Sequence, residues 1–110
     1  MMSLPMSAAG SALLRALVAR AAVRRDRILL IEFRSTEWQS LTFIGERHEI
    51  CLRVLGPQSG CAAERLTQGL ANAEFAIPGH IVADIAVADT PAPADDGSMT
   101  VRLEALTIAD

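Results

Sequence analysis

Residues 38–56 constrain the fold of this chain most, because apolar and polar side chains alternate along them. In their second half, Ile50, Leu52 and Val54 alternate with Glu49 and other polar or small residues. A period of two with β-branched residues predicts two strands, and the glycine at position 45 predicts a tight turn over residues 45–47. A lone hairpin is marginal in water, so we expect further strands or a helix to cover its apolar face.

The rest of the chain supplies such elements. Apolar residues at helical spacing predict helices over residues 7–25 and 61–74. Alternation predicts further strands over residues 27–34, 80–89 and 99–108. The first of these strands is expected to turn at residues 35–37 into the hairpin, with Trp38 at that turn.

We expect these elements to form a single α+β domain over residues 1–110. The predicted order is α-β-β-β-α-β-β. Short connections between consecutive strands favour a mainly antiparallel sheet of about five strands, with the two helices packed on one face. We expect residues 1–6 and the polar, proline-containing segment 90–98 to be flexible.

The net charge of −3 is unevenly distributed, because residues 1–27 carry +4 and residues 28–110 carry −7. All ten basic side chains are arginines. The basic face of the first helix could bind nucleic acid or a membrane. We favour a solvated face with cations near the helix C-terminus, because aromatic residues and a second basic element are lacking.

Apolar runs in the sequence stay short of the roughly 18 residues that a membrane span needs, so we expect no membrane association. Cys51 and Cys61 are too few for a disulfide framework, and reduced thiols in a cytoplasmic protein are the expected state. The arginine-rich start also resembles an organellar transit peptide, an interpretation that we rank below a structural helix.

Candidate metal ligands do not converge in the predicted strands. Glu46 and His48 share a strand face, whereas Cys51 points to the opposite one. Glycine-rich phosphate loops, nucleophile elbows and zinc-binding cysteine arrays are missing from the sequence. We therefore expect no metal and no cofactor.

Two pairs of side chains are candidates for catalysis. Cys61 at a helix start and His80 at a strand start could form a nucleophile pair, but a positioned third group is lacking. Asp84 and Glu104 on adjacent strands could act as paired carboxylates, although facing water or Arg102 is the simpler interpretation. We expect no catalytic residues and no enzymatic activity.

Several short motifs point to a family instead. They are Trp38-x-Ser40, GERHEI at 45–50, GHIV at 79–82, Asp96-Gly97 and RLEALT at 102–107, together with an Ala/Leu/Arg-rich opening helix. With these motifs, residues 8–108 resemble the tail terminator, or tail completion, proteins of long-tailed phages and of phage-like gene transfer agents.

The resemblance implies a subunit of a hexameric ring, without catalysis. Such a ring sits on the end of the tail tube, stops its polymerisation and offers a surface for the head. The implied partners are further copies of the chain, a tail tube protein and a head connector protein, with DNA passing through the lumen without specific binding. The protein would be cytoplasmic during assembly and then part of a phage-like particle.

We expect apolar residues on both sheet faces, with surface left over for a neighbouring subunit. The residues assigned to the subunit or tube interface are Arg20, Arg24, Trp38, Arg47, His48, Asp84, Asp95 and Asp96. A small dimeric α+β module that binds a ligand or regulates a partner through the open sheet face is the alternative function.

Overall fold

A computed structural model describes residues 6–109 as a four-stranded antiparallel sheet covered on one face by two helices. The strands lie side by side in the order β1-β2-β4-β3. This confirms the α+β class and the antiparallel sheet. The elements in chain order are α1 (Ala8–Ala21), β1 (Ile28–Gln39), β2 (Ile44–Val54), α2 (Ser59–Thr67), β3 (His80–Pro93) and β4 (Met99–Ala109).

Helix α1 begins at a serine cap and ends earlier than predicted. The Ser7 hydroxyl accepts a hydrogen bond from the amide of Gly10 at 3.0 Å, which satisfies one of the free donors of the first turn. Ala22 adopts a left-handed conformation with a φ of 55°, and this ends the helix. Leu13 and Leu17 are fully buried against the sheet.

Helix α2 is shorter than predicted because Gly69 ends it. Gly69 has a φ of +65°, a conformation that glycine adopts without steric cost. The predicted helix to residue 74 is therefore wrong, and a single 3-10 turn, Leu70–Asn72, follows the break.

Two arginines join the C-terminal ends of the helices. The Nε atom of Arg20 donates to the carbonyl of Leu66 at 3.1 Å, and its guanidinium also contacts the carbonyl of Gln68. In return, the Nε atom of Arg65 donates to the carbonyl of Ala21 at 3.0 Å. Each helix end thus gains a cation on carbonyls that lack an intrahelical partner.

The hairpin turn lies at residues 40–43, so the turns predicted at residues 35–37 and 45–47 are wrong. The amide of Ser40 donates to the carbonyl of Phe43 at 2.8 Å, and the Ser40 hydroxyl accepts from the amide of Phe43 at 3.0 Å. Residues 35–37 instead continue β1 in register with β2. Two long strands therefore replace the three short ones that the sequence predicts.

Gly45 is required by a close contact inside the sheet. It pairs with Trp38 on one side and Ile108 on the other. A Cβ atom at this position would lie 2.1 Å from the carbonyl oxygen of Thr107 and 2.9 Å from Nε1 of Trp38. Trp38 is therefore part of β1 and packs over Gly45, not at a turn.

The predicted alternation holds in the two central strands. The apolar set Ile50, Leu52 and Val54 of β2 is buried, as are Val101 and Leu103 of β4. These residues form the middle of the core beneath the helices.

Irregularities in both edge strands shift the alternation. In β1 the register changes between Leu30 and Glu32, so Leu29 is exposed while Leu30 packs against the core. In β3 it changes between Val82 and Asp84, and Ile81 is exposed while Ile85 is buried. A β-bulge inserts an extra residue and reverses the faces beyond it, which period-two reasoning cannot detect.

The segment predicted to lack regular structure, residues 90–98, contains the end of a strand and a turn. β3 continues to Pro93, and the amide of Gly97 donates to the carbonyl of Ala94 at 3.0 Å. Ser59 at the start of α2 donates to the carbonyl of Gly97. The other segment predicted to be flexible, residues 1–6, lies outside the described residues except for Met6, which packs against the core.

Candidate subunit interface

The outer sheet face, opposite the helices, carries charged side chains at its centre. Glu32 lies 3.5 Å from Arg34 and 4.0 Å from Arg102, and Arg34 also lies 3.6 Å from Glu49. These pairs are about half exposed, so each contributes at most about 1 kcal/mol. The expectation of an apolar outer face is therefore wrong at its centre.

Of the six large apolar side chains that are exposed among the described residues, three lie at the β1–β2 turn, and the others are Leu29, Ile31 and Ile81. Leu41 is fully exposed, Phe43 is 51% exposed and Ile44 is 65% exposed. We call these three residues the hairpin tip. The two Ser40 bonds fix the turn, so the tip projects from the sheet in a defined conformation.

Two glutamates stand directly behind the tip. Glu37 and Glu46 face each other in the register of β1 and β2, where like charges are unfavourable. Among residues 6–109, neither carboxylate has an arginine or histidine nitrogen within 4.0 Å. We call Glu37 and Glu46 the acidic pair; the register places both on the helix-side face of the sheet.

His48 lies on the same sheet face, two residue pairs further into the sheet, and is fully buried. Its Nδ1 atom is 2.7 Å from the Ser35 hydroxyl, and its Nε2 atom is 2.9 Å from the Thr107 hydroxyl. The Phe33 ring packs at 5.8 Å. Burial lowers the pKa of His48, and the nearby carboxylate of Glu46 only partly offsets it. The ring is therefore a neutral link between three strands.

A groove of about 640 Å³ runs between α1 and the start of β1. Its apolar wall includes Leu14 and Val18 of α1 and Ile28 and Leu30 of β1, and Arg15 and Arg25 line it as well. We call this the α1–β1 groove. None of the described residues that line it is acidic, and neither arginine has a carboxylate within 4.0 Å among residues 6–109.

Of the assigned basic and aromatic interface residues, some are already occupied within the subunit. The Arg20 guanidinium holds the end of α2, and Arg24 pairs with Asp26 at 3.1 Å. Trp38 is half-buried on the outer face, and only Arg47 is an exposed cation at the hairpin end of the sheet. His48 presents no surface to a partner.

The three aspartates assigned to the interface lie at opposite ends of the sheet. Asp84 pairs with Leu106 near the hairpin end. Asp95 and Asp96 are exposed in the turn before β4, where the Ser98 hydroxyl and amide donate to Asp96 and lower its pKa. β4 has 11 residues, so at ~3.3 Å per residue its two ends are about 30 Å apart. The assigned residues therefore do not form one surface.

The same spacing separates Cys61 from His80. Ser59 of α2 contacts Gly97 at one end of the sheet, whereas His80 pairs with Ala109 at the other. His80 directs its Nδ1 atom to the carbonyl of Pro78 at 3.1 Å. Cys61 and His80 therefore cannot form a nucleophile pair in one subunit. Three or more potential metal-ligating side chains do not cluster anywhere in residues 6–109.

The hairpin tip, the acidic pair and the α1–β1 groove were missed by sequence reasoning. A signal for the tip existed in the Leu-Thr-Phe-Ile run that follows Ser40, because such a run is unusual for a solvated turn. The groove left no comparable signal, since it depends on how α1 is placed over β1.

Fold and surface together define a small α+β protein with an apolar protrusion at one end and an apolar groove near the other. Comparison with protein-family models, with curated proteins and with solved structures found no match for this chain. Neither helix of the described residues has the length and apolar character to cross a membrane.

Proposed function

We propose that this protein is a structural subunit of a ring that terminates the tail tube of a phage or gene transfer agent and joins it to the head. The observation that carries the proposal is the hairpin tip. A fixed turn exposes Leu41, Phe43 and Ile44 to water, and exposed apolar clusters of this kind mark protein–protein contacts.

An apolar protrusion of this kind can form the contact between neighbouring subunits of a ring. When a projecting surface on one subunit fits a different surface on the next, the contact repeats around an axis and closes if the rotation allows. Each subunit then buries its hairpin tip against its neighbour. No chemistry is required of any side chain in this role.

The partners follow from the position of the ring. One side of the ring contacts the last layer of tail tube protein, and the other contacts a head connector protein. The strongly acidic balance of residues 28–110, at −7, favours a lumen that DNA crosses without binding. The protein assembles in the cytoplasm and remains in the finished phage-like particle.

The proposal is tested by measuring tail tubes assembled from the tube protein encoded in the same genome. In electron micrographs, adding the wild-type protein should give tubes capped at one end that stop growing. A Leu41→Asp variant should fail to cap, because a charge in place of an apolar side chain on the tip disfavours burial against a neighbour. Leu41 is fully exposed in the subunit, so the substitution leaves the core intact. Thr42→Asp adds the same charge to the same turn but leaves the apolar side chains, and should retain capping. Uncapped tubes with the wild-type protein would contradict the proposal.

A small dimeric ligand-binding module is the second candidate, and the observation that favours it is the α1–β1 groove, not the open sheet face named in the sequence analysis. Its volume of about 640 Å³ falls within the ~300–1,000 Å³ typical of small-molecule sites. Under this alternative the purified protein would be a dimer, and an apolar anion would bind near Arg15 and Arg25. Isothermal titration calorimetry with a fatty acid would detect that binding.

A further inference from the structure

We infer that the hairpin tip of one subunit docks into the α1–β1 groove of a second copy, with the acidic pair facing Arg15 and Arg25. The inference rests on the proposed function, because it names the contact from which the ring is built. The neighbour is thus a head-to-tail partner that uses two different surfaces of the same chain.

The two surfaces match in chemistry. The tip offers three exposed apolar side chains, and the groove offers an open wall of leucine, isoleucine and valine. A volume of about 640 Å³ is within the ~300–1,000 Å³ range of pockets that enclose a drug-sized molecule, so it has room for two or three large side chains. Burying them removes apolar area from water on both subunits.

The two surfaces also match in charge. Glu37 and Glu46 repel each other across β1 and β2, and both lie next to the tip. Arg15 and Arg25 line the groove without a carboxylate partner in residues 6–109. Docking would supply cations to the acidic pair and anions to the arginines, with two charges of each sign. Such matching fixes the register of an interface and excludes wrong partners.

The tip cannot reach the groove of its own subunit. The groove lies at the Ile28 end of β1, and the tip follows Gln39 at the other end. β1 has 12 residues, so at ~3.3 Å per residue about 36 Å separate its ends. A contact between tip and groove is therefore made between copies. The copy that contributes its tip keeps a free groove, and the copy that contributes its groove keeps a free tip, so the contact can repeat with further neighbours.

Charge reversal on each side tests this contact. The acidic-pair variant Glu37→Arg/Glu46→Arg should dissociate the assembly, and so should the groove variant Arg15→Glu/Arg25→Glu. Each should weaken self-association at least tenfold, as measured by sedimentation velocity. An equimolar mixture of the two variants should restore it, because each reversed surface then meets a reversed partner. The quadruple variant should also assemble alone. Glu64→Arg/Glu74→Arg makes the same charge change on two exposed glutamates elsewhere and should leave assembly intact.

The outcomes separate this contact from the proposed function. A wild-type ring that withstands both reversals, or variants that do not rescue each other, would overturn the contact and leave the ring in place. Mutual rescue in assemblies that do not cap tail tubes would overturn the function and keep the contact. A wild-type protein that stays monomeric at all concentrations would overturn both. Circular dichroism of each variant confirms that it is folded before it is scored.

Discussion

Replacing His48 with glutamine should remove a pH dependence of stability that the buried ring creates. In the folded protein both ring nitrogens lie within 3 Å of hydroxyls, those of Ser35 and Thr107. A neutral imidazole offers one donor and one acceptor, and each hydroxyl can serve as either, so the neutral ring is satisfied. Burial lowers the pKa of His48 below the unfolded value of 6.5.

The sign of the effect follows from this direction. As the pH falls, the unfolded chain takes up the proton before the folded chain does, so unfolding is favoured. The contribution of His48 to stability is complete above about pH 6.5 and is lost below it, at up to about 1.4 kcal/mol per pH unit, until the folded-state pKa is reached. The free energy of unfolding of the wild type should therefore fall between pH 7.5 and pH 5.5.

Urea denaturation of the wild type and of His48→Gln at several pH values measures this. At pH 7.5 the variant should be about 1–3 kcal/mol less stable, because the hydroxyls of Ser35 and Thr107 lose a buried partner. At pH 5.5 the difference should be smaller by up to about 1.4 kcal/mol, because glutamine does not titrate. The protein concentration is held constant, since association between subunits adds to apparent stability.

A Thr107→Val variant is the control for this experiment. It removes the hydroxyl at Nε2 with little change in shape, so stability should fall while the direction of the pH dependence remains. A gap between the wild type and His48→Gln that stays constant from pH 7.5 to pH 5.5 would refute the buried, neutral ring.

Two further substitutions test the packing that positions the interface. In thermal unfolding, Gly45→Ala should lower the free energy of unfolding by about 3 kcal/mol, because its Cβ would overlap the carbonyl of Thr107. Gly60→Ala in α2 is the control: Gly60 has open space around it, so the change should be neutral or stabilising by up to ~1 kcal/mol. Arg20→Met should lower the free energy of unfolding by about 1–2 kcal/mol, because carbonyls at the end of α2 lose their donor. Arg24→Met removes only an exposed ion pair and should change stability by less than ~0.5 kcal/mol. Equal effects of the two substitutions would contradict the helix-end contact.

The fold class could be predicted from the sequence because the central strands follow a simple rule. Ile50, Leu52 and Val54 alternate with polar neighbours, and the structure buries all three. Register in a half-buried antiparallel strand is set by that pattern. The same rule gives Val101 and Leu103 of β4 their inward positions.

The edge strands and the hairpin turn could not be predicted in the same way. The bulges near Ile31 and in β3 are set by pairing with the neighbouring strand, which local alternation does not encode. The sequence predicts a turn at Gly45, because glycine marks turns. Its actual role depends on the Trp38 indole and the Thr107 carbonyl, which come from distant parts of the sequence.

The candidate interface shows the same division. The residues assigned to the interface from the sequence are both exposed and buried, and they include His48, which has no exposed surface. The hairpin tip and the α1–β1 groove emerge only when the turn is placed at residues 40–43 and α1 is set over β1. Surfaces of this kind are products of tertiary packing, so they become visible only in the assembled fold.

The mass of the purified wild-type protein, followed by sedimentation velocity over a range of concentrations, tests the central claim most directly. Six copies of the 11.7 kDa chain would have a mass of about 70 kDa, and closed rings should give one such species that persists on dilution. A single 11.7 kDa species at every concentration, with the hairpin tip exposed to solvent, would contradict it.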